Sequence, residues 1–280
     1  MKTAGTLFIV ATPIGNLEDI TLRALRVLKE ADLIACEDTR QTQKLLSHYA
    51  IEKPMVSYHE HNEAERADEL VAKLESGETI ALVSDAGMPG ISDPGYRIVA
   101  LAVERGIAVV PIPGAVAFAA ALAASGLATD TFRFNGFLPA KSGQRREALE
   151  AVRTSQLTEI FYEAPHRLLE SLRDAVAILG EERPLVVARE LTKVHEEFVR
   201  GSAADVLRGF DQRPGEVKGE IVLLIGKGAG PVVKKVSAHE RLEAIMREQK
   251  LDEKAALKVL AREMGVSKSE VYREVQRRRK

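Results

Sequence analysis

The chain is poor in cysteine and has no long apolar run, and both shortages exclude classes of protein. Cys36 is the only cysteine among 280 residues. An intramolecular disulfide and a cysteine-cluster metal site are therefore excluded, and we expect Cys36 to pack in a sheet. No stretch of about 18 or more apolar residues is present, which argues against a membrane span. Residues 1–5 lead into a predicted strand rather than an apolar signal with a cleavage site, so we expect a cytoplasmic protein.

Two nucleotide-binding motifs are also missing. The chain contains no G-x-x-x-x-G-K-[ST] loop, and no G-x-G-x-x-G follows its first predicted strand. Both motifs present backbone amides to phosphate groups. Their absence favours a ligand with little or no phosphate.

Charge is distributed unevenly although the net charge is only −1. Residues 234–280 hold 14 Lys and Arg against 8 Asp and Glu, a balance of +6, and the rest of the chain holds 26 against 33, a balance of −7. A basic appendage on an acidic body indicates a polyanionic partner. A solvated basic tail without a ligand would explain the charge equally well.

Three loops rich in proline and glycine carry most of the information in the chain, at residues 12–16, 84–89 and 111–115. Each follows a short apolar run of the kind that forms a buried parallel strand. Ligands of open α/β sheets bind at the carboxyl ends of the strands. If these loops gather at one edge, they form a small-molecule cleft built largely of backbone, because proline fixes the loop path and glycine permits close approach.

The first part of the chain alternates strand-like and helix-like patterns, which predicts βαβ units and a parallel sheet. The predicted strands are residues 7–11, 33–36, 80–83 and 108–110, and the predicted helices are residues 17–31, 64–74 and 96–105. Residues 115–124 are small and apolar, and they predict a buried helix that ends near Gly126.

The pattern changes after about residue 120. Further strands are predicted at residues 132–137, 159–162, 185–188, 197–200 and 220–225, with helices at 146–154 and 167–179. The short separation of the last two strands favours a mixed sheet with some antiparallel pairing. We therefore predict an α/β fold with domains at residues 1–118 and 119–228, and a linker at residues 226–231 that overlaps the end of the second domain.

The tail, residues 234–280, has a helical pattern. Two serine–glutamate pairs fit the S-x-x-E capping box, Ser237 with Glu240 and Ser267 with Glu270. Asp252 is a candidate cap for a helix at residues 253–264, which Gly265 would end. A helix, a short glycine-containing turn and a capped helix predict a helix-turn-helix that contacts nucleic acid. The alternative is a small helical bundle that packs on the body or on a partner subunit.

The chain contains eight short motifs whose order and combination are specific. They lie at residues 12–17, 37–40, 82–94, 111–114, 136–141, 161–163, 166–167 and 188–193. Together they resemble the tetrapyrrole-methylase class of S-adenosylmethionine-dependent methyltransferases. Within this class they are most similar to bacterial enzymes that methylate a cytidine ribose 2′-hydroxyl of small-subunit (16S) ribosomal RNA. The likeness runs from the first strand through the helical tail.

The resemblance implies a two-domain tetrapyrrole-methylase-like fold, a homodimer, and S-adenosylmethionine bound in the cleft between the domains. The family's donor-binding positions correspond here to Pro13, Gly15, Asp85, Ala86, Gly87, Pro89, Ser92, Asp93, Pro113, Phe137 and Leu138. The implied macromolecular partner is small-subunit ribosomal RNA.

Methyl transfer to a ribose hydroxyl requires removal of the hydroxyl proton or stabilisation of the oxyanion. The candidate catalytic residues are Glu37, Asp38, Glu163 and Glu190. Each follows a predicted strand, and each could instead position RNA or form a structural ion pair. His59 and His61 lie in a polar loop without a complete ligand set, so we expect no metal site.

Basic residues near these segments are the candidates for RNA contact, namely Arg40, Lys141, Arg145, Arg146, Arg167, Lys193, Lys268 and Arg273. Residues 141–146 are interpreted as a flexible loop whose charges bind phosphate. Two other functions stay open, methylation of a small tetrapyrrole precursor and metabolite-sensing regulation through nucleic-acid binding. The basic tail argues against the first, and the polar groups after strand ends argue against the second.

Overall fold

The computed structural model describes residues 4–213, 215–228 and 238–277. The chain forms two compact units, Met1–Gly228 and Ala229–Lys280. The first unit contains two five-stranded sheets, and the second is helical. Because both sheets lie in one compact unit, a domain division at residue 118 stays a prediction. No helix among the described residues has the length and apolar character needed to cross a membrane.

The first sheet has the strand order β3-β2-β4-β1-β5, and every neighbouring pair is parallel. Its strands are β1 (Thr6–Val10), β2 (Leu33–Cys36), β3 (Met55–Ser57), β4 (Ile80–Val83) and β5 (Ala108–Ile112). The accompanying helices are α1 (Leu22–Glu30), α2 (Thr39–His48), α3 (Glu63–Glu75) and α4 (Tyr96–Glu104). Apolar clusters cover both faces of the sheet, which explains why its strands read as continuous apolar runs. The predicted parallel sheet is confirmed, and Cys36 is buried in it.

Two predicted helices in this part of the chain need correction, and two further elements were not predicted. The predicted helix at residues 17–31 is divided into a 3-10 turn, Leu17–Asp19, and α1, because Thr21 caps α1 by accepting a hydrogen bond from the backbone N–H of Ala24 at 3.1 Å. Helix α2 and strand β3 were missed. The helix α5 (Ala117–Ser125) is not fully buried, since it buries Ala121, Leu122 and Ser125 and exposes its opposite face.

The second sheet has the strand order β6-β7-β10-β8-β9. Its strands are β6 (Phe132–Phe137), β7 (Thr158–Glu163), β8 (Pro184–Arg189), β9 (Glu197–Ser202) and β10 (Ile221–Ile225). Strands β6 and β7 are parallel, whereas β10 is antiparallel to both β7 and β8, and β8 to β9. The mixed sheet is thus confirmed. Its helices are α6 (Ser142–Ala151), α7 (Leu168–Leu179) and α8 (Ala203–Asp211).

The second unit contains α9 (Ala238–Gln249), α10 (Glu253–Met264) and α11 (Lys268–Arg277). Asp252 caps α10 by accepting a hydrogen bond from the N–H of Ala255 at 2.7 Å, and Gly265 ends that helix in the left-handed conformation. Ser267 and Glu270 form the predicted capping box. The predicted box at Ser237 lies outside the described residues.

Candidate functional site

The three loops meet at one edge of the first sheet, as predicted. Strands β4, β1 and β5 are parallel neighbours, so their carboxyl ends lie side by side. Thr12 and Gly87 exchange backbone hydrogen bonds of 2.9 and 3.1 Å, which join the first two loops. A Cβ added to Gly87 would lie 3.5 Å from Ile14 and 3.6 Å from the carbonyl of Ala115, so the third loop also converges there.

A cavity of about 360 Å³ opens between these loops and the second sheet. It is lined by Ile14, Ala86, Gly87, Met88, Ile91, Ser92, Asp93, Val116, Ala117, Phe137, Tyr162, Glu163, Ala164, Pro165, Leu191, Gly219, Glu220, Ile221 and Val222. Its walls are mainly apolar side chains and backbone, and they include three acidic residues, namely Asp93, Glu163 at the end of β7, and Glu220 immediately before β10. A cavity of this composition is typical of a small-molecule site that is largely formed before the ligand binds.

An acidic cluster, defined here as Glu37, Asp38, Asp85 and Asp93, lies at the carboxyl ends of β2 and β4 and reaches the cavity through Asp93. The N–H of Asp38 donates a 3.1 Å hydrogen bond to the carboxylate of Asp85. Burial and the charge of Glu37 raise the pKa of Asp93 to about 6. Burial and the charge of Asp85 raise the pKa of Glu37. Glu37, Asp85 and Asp93 repel one another in partial isolation from water, so a cation nearby would stabilise their ionised forms.

Asp38 differs from the rest of the cluster. Its hydrogen bonds with Arg40 lower its pKa to about 2. The Arg40 guanidinium lies 2.9 Å from Asp38, and the Asp38 carboxylate also accepts from the Arg40 backbone N–H at the start of α2. This carboxylate is therefore occupied as a helix cap, although Arg40 remains exposed to a partner.

Lys193 links the two sheets beside the cavity. Its ammonium lies 2.8 Å from Glu190 and 3.1 Å from Glu220, and these hydrogen bonds outweigh burial, so the Lys193 pKa is raised. Its methylene stem crosses Gly15, where an added Cβ would lie within 2.8 Å of the Lys193 Cε atom. The glycine predicted to admit a ligand thus admits a side chain from the second sheet.

Among the described residues, three of the five non-glycine residues with left-handed backbone lie at or next to the cavity lining. Ser92, Glu190 and Thr192 are non-glycine residues with φ values of 62°, 52° and 66°. Ser92 lines the cavity, and the other two flank the lining residue Leu191. Left-handed backbone is unfavourable for such residues and tends to persist at functional sites.

The carboxylate of Glu163 is fully engaged by hydrogen bonds within the protein. It is buried, and its carboxylate accepts hydrogen bonds from its neighbour's N–H at 2.7 Å, from Arg167 at 2.9 Å and from the Ser171 hydroxyl. Glu190 is held by Lys193 and by the N–H of Glu220 at 3.0 Å. Both carboxylates are better placed to hold backbone at the cavity wall than to exchange protons with a substrate.

The interpretation of residues 141–146 as a flexible loop is wrong, because α6 begins at Ser142. Arg145 is buried, with its guanidinium 2.7 Å from Asp174, and also contacts the Ala140 carbonyl at 3.4 Å. A buried, paired guanidinium is unavailable to RNA. Arg146 is half-exposed and Lys141 is exposed, so both stay candidates for RNA contact.

Substitution of these adjacent arginines tests which of the two stabilises the fold. Arg145→Ala removes a buried guanidinium and its hydrogen bonds to Asp174 and the Ala140 carbonyl. Because Arg146 still holds Asp174, this substitution should lower the free energy of unfolding by about 2–3 kcal/mol. Arg146→Ala removes a half-exposed pair and should lower it by less than about 1 kcal/mol. Urea denaturation of both variants measures the difference, and equal losses would contradict the assignment of Arg145 to the interior.

The predicted donor-binding residues divide into two groups. Ala86, Gly87, Ser92, Asp93 and Phe137 line the cavity. The others are not among its lining residues, and they are Pro13, Gly15, Asp85, Pro89, Pro113 and Leu138. The side chain of Leu138 belongs to the core of the second sheet, so its contact with the donor stays a prediction that would involve the backbone.

Several lining residues were missed from the sequence. Gly219 and Glu220 immediately precede β10, Ile221 and Val222 begin it, and Tyr162 belongs to β7. The available signal was the Gly–Glu pair immediately before the last apolar run. It was overlooked because strand starts are not where ligands of parallel sheets are expected, whereas β10 runs antiparallel. Among the described residues, no group of three or more His, Cys, Asp or Glu could hold a metal ion.

The fold and the position of the cavity identify the class. Residues 6–207 match the model of the Tetrapyrrole (Corrin/Porphyrin) Methylases. The structure is similar to that of uroporphyrin III C-methyl transferase from Thermus thermophilus, with a TM-score of 0.55 and 19% identity, covering 79% of this chain and 97% of the other. A diphthine synthase structure matches with a TM-score of 0.61 and 15% identity, covering 79% and 90%. The chain belongs to the tetrapyrrole methylase family.

Relatives that match over nearly their whole length show to which group within the family the chain belongs. A protein of Halalkalibacterium halodurans named ribosomal RNA small subunit methyltransferase I is 49% identical, covering 96% of this chain and 93% of its own. The protein of that name from Escherichia coli O157:H7 is 48% identical, covering 97% and 95%. Within the tetrapyrrole methylases, the chain belongs to the family of these small-subunit methyltransferase I proteins.

S-Adenosylmethionine is the methyl donor of this class, and the residues present fit it. The donor carries a sulfonium and an ammonium but no phosphate, and the acidic cluster provides carboxylates without a phosphate-binding motif. The apolar lining around Phe137 and Leu191 suits the adenosyl group. Asp93, Ser92 and the backbone of Ala86 and Gly87 are the residues that would hold the donor.

Proposed function

We propose that the protein transfers a methyl group from S-adenosylmethionine to the 2′-hydroxyl of a cytidine in 16S ribosomal RNA. The observation that carries the proposal is similarity over nearly the whole chain to proteins named for small-subunit ribosomal RNA, at 48–49% identity. The uroporphyrin methyltransferase structure covers only 79% of this chain although 97% of its own length is matched, so part of this chain has no counterpart there. The basic helical unit supplies a reason for an RNA substrate.

For methyl transfer, the main task of the protein is to position the donor and the RNA hydroxyl. When bound, the donor supplies an activated methyl group on a sulfonium leaving group. The acidic cluster balances this positive charge, and the cavity walls exclude water from the reacting atoms. Among the four candidate carboxylates, Glu37 suits proton acceptance best, because its pKa is raised by burial and by Asp85 whereas the other three are held by Arg40, Arg167 or Lys193.

Arg40, Lys141 and Arg146 would contact the RNA backbone beside the cavity, and Lys268 and Arg273 would do so on the tail. Arg167 and Lys193 are paired within the body and would act by holding the cavity wall. A homodimer is part of the same proposal, on the resemblance to the family.

Labelled donor distinguishes the substrates. We expect the purified chain to transfer label to small subunits that lack the modification, and nuclease digestion to yield labelled 2′-O-methylcytidine. Subunits already carrying the modification are the control and should accept no label. Label on a tetrapyrrole precursor but not on RNA would contradict the proposal and support the small-molecule alternative. Tight DNA binding with no methyl transfer would support the regulator instead.

A further inference from the structure

Helix α11 has one face buried in the helical unit. Val271 and Val275 pack with residues of α9 and α10, including Ile245 and Leu260. The capping box at Ser267 fixes the start of the helix, and a bidentate pair between Arg241 and Glu263, at 2.8 and 3.0 Å, joins α9 to α10. The outer face of α11 is therefore presented by a packed three-helix unit.

An aromatic ring lies exposed on that outer face. Tyr272 is 50% exposed. Lys268 lies one helical turn before it, and Arg273 is adjacent, with its guanidinium turned back to the Ser269 carbonyl at 3.3 Å. A shallow depression is lined by Lys268, Ser269, Tyr272 and Arg273, and we call this surface the tyrosine face.

No carboxylate is among the described residues that line the tyrosine face. Glu270 lies about one helical turn before Arg273 and interacts with its charge, but the Glu270 carboxylate is also engaged by the hydroxyl and the backbone N–H of Ser267. The tyrosine face combines an exposed aromatic ring with two cations. The exposed Tyr272 ring does not contribute to the hydrophobic core, so its exposure suggests that it contacts a ligand. The cations on either side of the ring favour a ligand that is anionic and planar.

We propose that the tyrosine face binds a single-stranded segment of ribosomal RNA, with an unpaired base stacked on Tyr272 and phosphates contacting Lys268 and Arg273. Sequence positions alone predict only the two cations, and the structure adds the ring between them. Stacking on an aromatic side chain is the usual way in which proteins hold unpaired RNA bases. The inference rests on the proposed function and identifies residues of the helical unit that would hold the substrate.

Binding measurements with the whole chain test this inference. Tyr272→Ala should weaken the binding of a single-stranded 16S fragment by about 5- to 100-fold, whereas Tyr272→Phe keeps the ring and should bind as the native chain does. Lys268→Ala should weaken binding and reduce the salt dependence by about 0.7 in the slope of log K against log salt. Lys254→Ala, an exposed lysine at the beginning of α10, is the charge-matched control and should leave that slope nearly unchanged.

Two further readouts keep the result interpretable. Donor affinity and melting temperature should be equal in the native chain and all four variants, since none of these residues lies at the cavity or in a core. If the native chain methylates subunits and Tyr272→Ala binds RNA and methylates equally well, the inference fails and the proposed function stands. If Lys254→Ala weakens binding as much as Lys268→Ala, the tail acts by diffuse charge, which also overturns it. If the native chain methylates no RNA, the proposed function itself fails.

Discussion

Replacing Gly15 by alanine is expected to reduce methyl transfer by about 100-fold or more, because displacements of about 1 Å in a positioning loop have effects of this size. Gly15 has φ +155°, a conformation that alanine rarely adopts. The added Cβ would also meet the Lys193 stem, whose ammonium is held by Glu190 and Glu220. Either the loop moves away from the cavity or the Lys193 network breaks. Initial rates with labelled donor measure the loss.

A second glycine provides the matched control. Gly106 also has positive φ, at +68°, but a Cβ there would have nothing within 4 Å. Gly106→Ala should therefore lose only about 1–2 kcal/mol of stability from the left-handed backbone and keep its activity. The double variant Gly15→Ala with Lys193→Ala removes the collision and should recover part of the stability lost by Gly15→Ala. A Gly15→Ala enzyme as active as Gly106→Ala would contradict the role given to this contact.

Replacing Asp93 by asparagine is expected to weaken donor binding by about 10- to 100-fold, the range typical of losing a charged partner. Asp93 is the member of the acidic cluster that lines the cavity, and a cationic donor is bound more tightly by its ionised form. In the native chain, donor affinity should therefore fall as the pH is lowered through about 6, where Asp93 takes up its proton. Calorimetric titration at several pH values measures both effects.

The same substitution should have the opposite effect on stability without donor. Burial and Glu37 raise the folded-state pKa of Asp93 to about 6, above its usual value, so the folded chain binds this proton more tightly than the unfolded chain. Stability from this group is present at low pH and is lost as the pH rises through about 6. Asp93→Asn should thus raise the melting temperature near neutral pH.

Asp38→Asn is the control for both pH effects. The pKa of Asp38 is lowered to about 2, so this carboxylate stays ionised throughout the range in which Asp93 titrates. Asparagine is also a good helix cap, so α2 should be retained. The pH profile of donor affinity should survive in Asp38→Asn and disappear in Asp93→Asn. Profiles that both variants lose equally would assign the titration to the cluster as a whole rather than to Asp93.

Much of the fold is predictable from local pattern. The strands at residues 33–36, 80–83 and 132–137 have the predicted bounds. The first two are short apolar runs that end before a charged or a polar residue, Glu37 and Ser84. Helix α10 also begins and ends where its cap and its glycine indicate. Strand β3 was missed because three residues, none of them fully buried, carry too little pattern.

The candidate site was predictable only in part. Loop motifs identified Asp93 and Gly87, which line the cavity, but could not distinguish a lining residue from one whose side chain lies in the core, such as Leu138. Arg145 and Arg146 look equivalent in the sequence, and both contact Asp174. Only the packing of α6 against α7 decides that Arg145 is buried and Arg146 half-exposed.

The sequence by itself determined the parallel sheet, the three loops and their place at strand ends, and the capped helices of the tail, since each depends on residues close together in the chain. Only the tertiary structure decided which side chains share the cavity, that Gly15 admits Lys193, and that Tyr272 lies exposed between two cations. These outcomes depend on contacts between residues far apart in the chain or on which face of a helix is buried, and local propensity does not encode either.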